Sequence, residues 1–454
     1  MDIVIVGDGK VGYTLAEQLN KEGHDITIID NRADILNSTL EMLDVMGVRG
    51  NGASMEVQME AGVPSADLLI AATSGDEVNM LCCLTAKMLG AKRTIARVRN
   101  PEYSTQLQML KEPLGLSMVI NPELESAREI ARVVKFPPAL KIETFSKGRV
   151  ELIEFKLLEH MPIVGKSLME MPQIIDSNVL ICAVDRGGAV IIPRGSFVLE
   201  AGDRIHITGA ARQITSFLSQ IGGIHLKVRS LMLVGGGRIA YYLAKMLDVK
   251  AFRIKIIEKN RERCDELCDL LPNATIIHGD GSDIDVLESE GIEEADAFVA
   301  LTNIDEENLI MSMVANEKKV PKIITKTGRF DNLSILEKLG IDTVINPKMT
   351  TANHIIQYVR AVQNSVHFNN IKTLYKIVNG KAEATEFTAT SDTAHLNVRL
   401  DQLHLKRNLL LAVIVRDGKV IIPHGEDVIK EGDSVIVLTN EHKLSCLNNI
   451  FEGS

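Results

Sequence analysis

The stretch Ile5-Val6-Gly7-Asp8-Gly9-Lys10-Val11-Gly12 near the amino terminus has the spacing G-x-G-x-x-G. It directly follows an apolar, β-branched run and leads into a helical pattern over Val11 to Leu19. In that strand-to-helix context Gly7 permits a tight turn, Gly9 lets the backbone approach a diphosphate, and Gly12 allows close helix packing. The stretch therefore predicts a Rossmann-like nucleotide-binding domain, with the diphosphate at the amino terminus of the helix.

A carboxylate follows at a suitable distance along the chain. Asp30 ends the second predicted strand, 18 residues after Gly12 (30 − 12 = 18). It can accept hydrogen bonds from a ribose 2′-hydroxyl and would repel a 2′-phosphate, which favours NAD(H) over NADP(H). Lys10 can place an ammonium group near additional phosphates, and ATP and ADP carry the same ribose diol. Both kinds of adenine nucleotide therefore stay open as ligands.

The same pattern returns once along the chain. Leu233-Val234-Gly235-Gly236-Gly237-Arg238-Ile239-Ala240 repeats the first stretch at an offset of 228, and Asp30 returns as Glu258 at the same offset. Half of the 454 residues is 227, so the repeat fills the chain. Alanine is tolerated at the third glycine position, and the Arg238 guanidinium favours a phosphate-rich ligand. We therefore expect a second nucleotide site.

Each half contains two kinds of segment. Strand-like runs first alternate with helical runs, which is typical of a parallel sheet covered by helices. After Pro137-Pro138, short strands are separated by Gly-Gly and Gly-Asp turns, which predicts a small β-rich lobe. The segment Val190 to Gly195 recurs as Val420 to Gly425, so both halves carry such a lobe. We predict an α/β fold with Rossmann-like parallel-sheet domains at 1–135 and 225–364 and small β-rich α+β lobes at 136–224 and 365–454.

Further polar residues fall where parallel strands end, which is the edge at which ligands bind in such sheets. Thr73 and Ser74 follow the fourth predicted strand, and Arg97 ends the fifth. Their counterparts in the second half are Asn303 and Lys326. Solvated loop positions are the alternative interpretation of these residues.

Composition excludes several other classes of protein. The net charge is −10, only 4% of residues are aromatic and there is no Trp, which argues against a basic, stacking-rich surface for nucleic acid. No apolar stretch approaches the roughly 18 residues of a membrane-spanning helix, and the chain start does not resemble a signal peptide, so we expect a cytoplasmic protein. The six cysteines form no C-x-x-C motif. We interpret them, including Cys264 and Cys268, as reduced packing residues, and expect no metal site.

The two fingerprints, the paired Ile-Asn-Pro segments at 120–122 and 345–347 and the paired β lobes resemble the TrkA family. Its members are cytosolic regulatory proteins of bacterial and archaeal Trk potassium-uptake systems, built from two RCK (regulator of conductance of potassium) units. The similarity covers essentially all of the chain. It implies a nucleotide sensor that is not an enzyme and that binds NAD(H), with ATP or ADP as further ligands. The binding residues that it implies are Gly7, Asp8, Gly9, Lys10, Val11, Gly12, Asp30, Thr73, Ser74 and Arg97, and in the second half Gly235, Gly236, Gly237, Arg238, Ile239 and Glu258.

The resemblance also implies an assembly. A gating ring of eight RCK units would need four chains of two units each, hence a homotetramer on the cytoplasmic face of a membrane-embedded, TrkH-like potassium-translocating subunit. An NAD-dependent dehydrogenase is the rival interpretation of the same fingerprint. We favour the regulator because the rest of the chain is a second copy and two lobes, whereas a dehydrogenase needs a substrate domain. Regulation of a different cation channel or antiporter is the third alternative, since the sequence names no membrane partner.

Overall fold

The computed structural model of the chain describes residues 1–222, 228–247, 250–328, 336, 339–341, 343–366, 371–377, 381–441 and 444–452. The predicted domain boundary at 224/225 lies outside these residues. The chain forms two compact units, Met1–Arg128 with Ile345–Ile356, and Glu129–Val344 with Gln357–Ser454.

A six-stranded parallel sheet forms the centre of the first unit. Its strands are β1 (Asp2–Val6), β2 (Asp25–Asp30), β3 (Met46–Arg49), β4 (Leu68–Ala71), β5 (Thr94–Arg97) and β6 (Met118–Ile120). The helices are α1 (Lys10–Lys21), α2 (Ala33–Met42), α3 (Met55–Glu60), α4 (Asp76–Leu89), α5 (Pro101–Leu110) and α6 (Pro122–Lys135). The strand order is β3-β2-β1-β4-β5-β6. Strands β2 and β3 extend the sheet to one side of β1, and β4, β5 and β6 extend it to the other, so the switch point of the sheet lies between β1 and β4. The β-branched runs form these strands because such side chains pack well on a pleated surface, and all four residues of β4 are buried.

The first small lobe follows in the second unit as an antiparallel sheet in the order β10-β9-β11-β8-β7. It comprises β7 (Lys141–Phe145), β8 (Val150–Lys156), β9 (Leu180–Arg186), β10 (Ala189–Ile191), β11 (Arg204–Gly209), α7 (Met171–Ile174) and α8 (Ala211–Gln220). One face of the sheet packs on α8, where Phe155 and Phe217 make an edge-on ring contact at 6.3 Å.

The second half repeats this plan. A parallel sheet in the order β14-β13-β12-β15-β16-β17 comprises β12 (Ser230–Val234), β13 (Arg253–Glu258), β14 (Thr275–His278), β15 (Ala297–Ala300), β16 (Lys322–Lys326) and β17 (Thr343–Ile345). The helices described for this half are α9 (Arg238–Met246), α10 (Arg261–Leu270), α11 (Ile284–Ser289), α12 (Asp305–Glu317) and α13 (Pro347–Val366). The second lobe has the order β18-β19-β22-β20-β21, with β18 (Ile371–Ile377), β19 (Ala382–Thr388), β20 (Leu409–Arg416), β21 (Lys419–Ile421) and β22 (Ser434–Thr439). The predicted tandem α/β fold is confirmed.

The two lobes pack on each other within the second unit. Phe145 from the first lobe and Tyr375 from the second make an edge-on ring contact at 4.9 Å inside a shared hydrophobic cluster. The buried Glu386 carboxylate accepts hydrogen bonds from the Ser146 amide (3.0 Å) and the Ser146 hydroxyl (2.8 Å). Because each lobe covers one apolar face of the other, neither sheet exposes that face to water.

A row of ionisable side chains crosses three neighbouring strands of the first lobe. Lys141 pairs in register with Glu154, and Glu154 pairs with His206 on the next strand. His206 is only 3% exposed, and burial lowers its pKa, because the charged imidazolium would lose its hydration. The Glu154 carboxylate is also paired with the Arg204 guanidinium at 2.9 Å. His206 is therefore held neutral in a region that is otherwise charged.

The helices and the cysteines bear on two expectations from the sequence, that no helix spans a membrane and that the cysteines are packing residues. Within the described ranges, every helix is too short or too polar to cross a bilayer. Four cysteines are buried, but Cys268 is exposed and Cys446 is half-buried. The packing interpretation is therefore wrong for Cys268: it lies one turn after the buried Cys264 on the same side of α10, but near the end of the helix, where it is exposed to solvent. In the part of the chain that the structure describes, no group of three or more His, Cys, Asp or Glu residues could hold a metal ion.

Candidate nucleotide-binding site

The glycine-rich loop of each half lies where two neighbouring parallel strands diverge. Gly7 has a φ of +98°, and a Cβ atom there would lie 2.9 Å from the Thr73 amide nitrogen after β4. Gly235 has a φ of +101°, and its Cβ would lie 3.0 Å from the Thr302 amide nitrogen. Only glycine satisfies both the backbone conformation and the close approach. The loop after β1 and the loop after β4 thus meet at the switch point, where open α/β sheets bind ligands.

The second glycine of each G-x-G motif, Gly9 or Gly237, borders open space at the start of a helix. Gly9 precedes α1 and Gly237 precedes α9, and a Cβ atom on either glycine would meet no other atom within 4 Å. The exposed Lys10 and Arg238 are the first residues of these helices. Free backbone amides, the helix dipole and a cation therefore surround a space of the kind that a phosphate group occupies.

The third position differs between the halves. A Cβ atom on Gly12 would lie 1.8 Å from the Gly7 carbonyl oxygen, so α1 packs directly on its own loop. Ala240 occupies the equivalent position of α9 and is fully buried. The second loop therefore leaves room for a methyl group that the first loop excludes.

Asp30 ends β2 beside the first loop and is only 7% exposed. Its Oδ2 atom accepts the Asp8 amide at 2.7 Å, and its Oδ1 atom accepts the Arg32 amide at 2.9 Å and the Arg32 guanidinium at 3.3 Å. Burial raises the pKa of Asp30, but these hydrogen bonds and the Arg32 charge outweigh burial and lower it overall. Asp30 is thus ionised, and a carboxylate with about four acceptor positions retains capacity for a ligand hydroxyl.

Arg32 was not among the residues singled out from the sequence. Its guanidinium compensates the Asp30 charge, which weakens the repulsion expected toward a 2′-phosphate. In the second half, Glu258 accepts the Gly236 amide at 2.6 Å and the Asn260 amide at 2.8 Å. Asn260 is the counterpart of Arg32 and carries no charge. The carboxylate at the end of the second strand of each sheet is therefore followed two residues later by an arginine in the first half and by an uncharged asparagine in the second.

A buried asparagine ties the remaining site residues together. Asn79 accepts hydrogen bonds from the Thr73 amide (2.8 Å) and hydroxyl (2.7 Å), and donates to the Thr73 carbonyl (3.2 Å) and the Arg97 carbonyl (2.8 Å). Asn308 makes the same four bonds to Thr302 and Lys326. The ends of the fourth and fifth strands are therefore joined at a fixed distance. The recurrence of the asparagine at an offset of 229 is a repeat signal that could have singled it out from the sequence.

The loop after β4 is braced from the other side. The Asp76 carboxylate, at the start of α4, accepts the Arg99 and Asn100 amides at 2.9 and 2.8 Å. The Arg99 guanidinium donates in turn to the Ser74 carbonyl. Asp305 accepts the Gly328 amide at 2.8 Å in the second half. Ser74 itself is exposed at the rim. The predicted first-half residues all follow or end parallel strands, so they lie at one edge of one sheet, and Arg99 is an additional residue at this edge.

Fold and site together define a class of protein: two Rossmann-like domains with dinucleotide-type loops, each followed by a small β lobe. The TrkA-N domain family matches residues 3–122 and 231–347, and the TrkA-C domain family matches residues 152–222 and 384–452. The chain is 32% identical to Trk system potassium uptake protein TrkA homolog 2 of Methanosarcina mazei, over 100% of both chains. It is 33% identical to Trk system potassium uptake protein TrkA of Halomonas elongata, over 100% of this chain and 99% of the other.

Among solved structures, the GsuK channel shares the fold with a TM-score of 0.64 at 19% identity, covering 97% of this chain and 77% of that one. The chain belongs to the TrkA family, and the predicted resemblance is confirmed.

Proposed function

We propose that the chain is the nucleotide-sensing regulatory subunit of a potassium-uptake system of the Trk type. The observation that carries the proposal is the duplicated site: two loops with open space beside Gly9 and Gly237, each next to a carboxylate. Family membership supports it, since full-length relatives are named as Trk potassium-uptake proteins. Structures described as the GsuK channel bound to NAD and to ADP share the fold, with TM-scores of 0.63 and 0.52.

The ligand of the first site is NAD(H), in competition with ATP or ADP. The amides at the start of α1 and Lys10 hold the phosphates, Asp30 accepts a ribose hydroxyl, and Thr73, Ser74 and Arg97 form the opposite wall. A bound adenine nucleotide supplies negative charge and a ribose diol. In the second site, Gly235 to Ile239 and Glu258 take the corresponding roles.

The chain regulates and does not catalyse. Its second half repeats the first, so a separate substrate domain with a proton-transfer group has no place in this plan. Four chains, hence eight RCK units, form a ring on the cytoplasmic face of a TrkH-like potassium-translocating subunit. Nucleotides of different charge and length favour different ring shapes, because a ligand shifts an equilibrium only by its differential affinity for the two states. The four domains in this proposal are the nucleotide-binding domains at 1–135 and 225–364 and the small lobes at 136–224 and 365–454.

Calorimetric titration of NADH and ATP tests the site. Asp30→Ala should weaken both ligands, because each carries the ribose diol, whereas Asp34→Ala removes a nearby exposed carboxylate of α2 and should leave both affinities unchanged. Glu258→Ala and Glu262→Ala are the matched pair for the second site. Wild-type affinity of Asp30→Ala for both ligands would refute the assignment.

The potassium role is tested separately by isolating the chain from native membranes. A potassium-translocating membrane protein should co-purify with it. Recovery of a different cation channel or antiporter instead would replace the proposed partner and leave the nucleotide site intact.

A further inference from the structure

The loop of the first site contains a buried carboxyl group that makes no hydrogen bond of normal geometry among the described residues. Asp8 is 2% exposed, and among the described residues neither of its carboxyl oxygens makes a hydrogen bond of normal length and angle; the polar side chain that interacts with the carboxyl is the Thr39 hydroxyl. Buried polar side chains are nearly always paired, and an unpaired one costs about 1–3 kcal/mol. A group kept at that cost beside the phosphate-binding loop points to a role in binding.

The second half carries no such group. Gly236 stands at the position of Asp8, and Leu267 stands at the position of Thr39, both at an offset of 228. A Cβ atom on Gly236 would lie 2.5 Å from a methyl carbon of Leu267, so the leucine fills the space that the aspartate side chain uses in the first half. A polar pair of one site is thus an apolar contact in the other.

The charges around Asp8 favour its neutral form. Burial raises the pKa of Asp8, the Thr39 hydroxyl lowers it, the Asp30 carboxylate raises it, and the Arg32 guanidinium lowers it, with a net rise. The Asp30 carboxylate stays ionised and accepts the amide of Asp8 itself. The remaining nearby cation, Lys10, is exposed to solvent at the start of α1.

We propose that Asp8 is a specificity-determining residue of the first site: it takes up a proton when an anionic diphosphate binds, which makes that site tighten as the pH falls. The inference rests on the proposed nucleotide function and deepens it. The open space for the diphosphate is beside Gly9, the next residue, so the negative charge of the ligand further disfavours an ionised Asp8. The second site has glycine there and binds without this proton.

The sign of the effect follows from linkage. The bound ligand raises the pKa of Asp8 above its value in the free protein, so affinity is highest below the free value and declines as the pH rises through the bound value. One linked proton changes affinity by at most about tenfold per pH unit. Binding of a ligand with more negative charge, such as ATP, should cause the protein to take up a larger fraction of a proton than binding of NAD(H) does.

Calorimetry of the full chain in two buffers of different ionisation enthalpy measures the protons taken up. All measurements use a chain that carries Gly237→Asp, so that only the first site binds nucleotide. This substitution places a carboxylate in the open space of the second site, at a position where Asp is a favourable helix cap. With Asp8 present, we expect net proton uptake and an affinity for ATP at least about threefold tighter at pH 5.5 than at pH 7.5. Asp8→Asn keeps the shape and should abolish the uptake and flatten the pH dependence.

The double substitution Asp8→Gly with Thr39→Leu gives the first site the pair found in the second, and it should behave like Asp8→Asn if the latter fails to fold. Nucleotide binding without proton uptake, or equal uptake by Asp8→Asn, would overturn this inference while leaving the proposed function standing. Complete absence of nucleotide binding would instead overturn the proposed function.

Discussion

Replacement of Asn79 by alanine tests whether the site depends on one buried side chain. The substitution removes four hydrogen bonds of the fully buried Asn79 side chain, three to Thr73 and one to the Arg97 carbonyl. At about 1 kcal/mol net for each bond, the loss is about 4 kcal/mol. For a unit of this size, about 2–4 °C per kcal/mol predicts that the melting midpoint falls by about 8–16 °C.

Differential scanning calorimetry of the full chain measures this change as a downward shift of the unfolding transition. Asn20→Ala is the matched control, since among the described residues the Asn20 side chain makes a single, exposed hydrogen bond, to the Asp44 carbonyl. It should shift the midpoint by less than about 4 °C. A shift for Asn79→Ala no larger than that of the control would refute the reasoning. Nucleotide affinity should fall as well, because Thr73 and Arg97 lose their common anchor.

Three further predictions follow from single side chains. Arg32→Ala should increase the preference for NAD(H) over NADP(H) by about twofold to fivefold, because Asp30 loses its compensating charge; equal preference in a competition titration would contradict this. The lowered pKa of His206 means that the unfolded chain binds a proton first as the pH falls below about 6.5, so stability declines there. Thermal melts from pH 7.5 to 5.5 should show a smaller decline for His206→Gln. Native protein at pH 8 should react with iodoacetamide at the exposed Cys268 and not at Cys82, whose pKa burial raises to about 12; mass spectrometry would show the reverse if the packing is wrong.

Much of the fold was predictable because its signals are local. Two G-x-G loops, each between an apolar β-branched run and a helical pattern, are enough to predict two parallel sheets. The offset of 228 then places the second sheet. The helix predicted over Val11 to Leu19 appears as α1 (Lys10–Lys21), and Asp30 ends β2 as predicted.

The site was predictable only in part. Gly7 and Gly9 were expected at the loop because a turn and a close approach require glycine there. Arg32 and Asn79 were missed, since a guanidinium or an amide in a surface-like segment has no local mark that says what it touches. Their roles depend on strands that are distant in sequence and adjacent in space, as in the contact of Asn79 with Arg97, 18 residues on.

The sequence by itself determined that this protein is a tandem of nucleotide-type domains and lobes, because backbone conformation and hydrophobic periodicity are encoded residue by residue. The tertiary structure alone decided how the two halves differ. It buries Asp8 beside Thr39 in the first half, whereas in the second half Leu267 fills the same space beside Gly236. Burial and charge compensation arise from the packing of distant segments, so two loops with nearly the same motif become sites with different electrostatics.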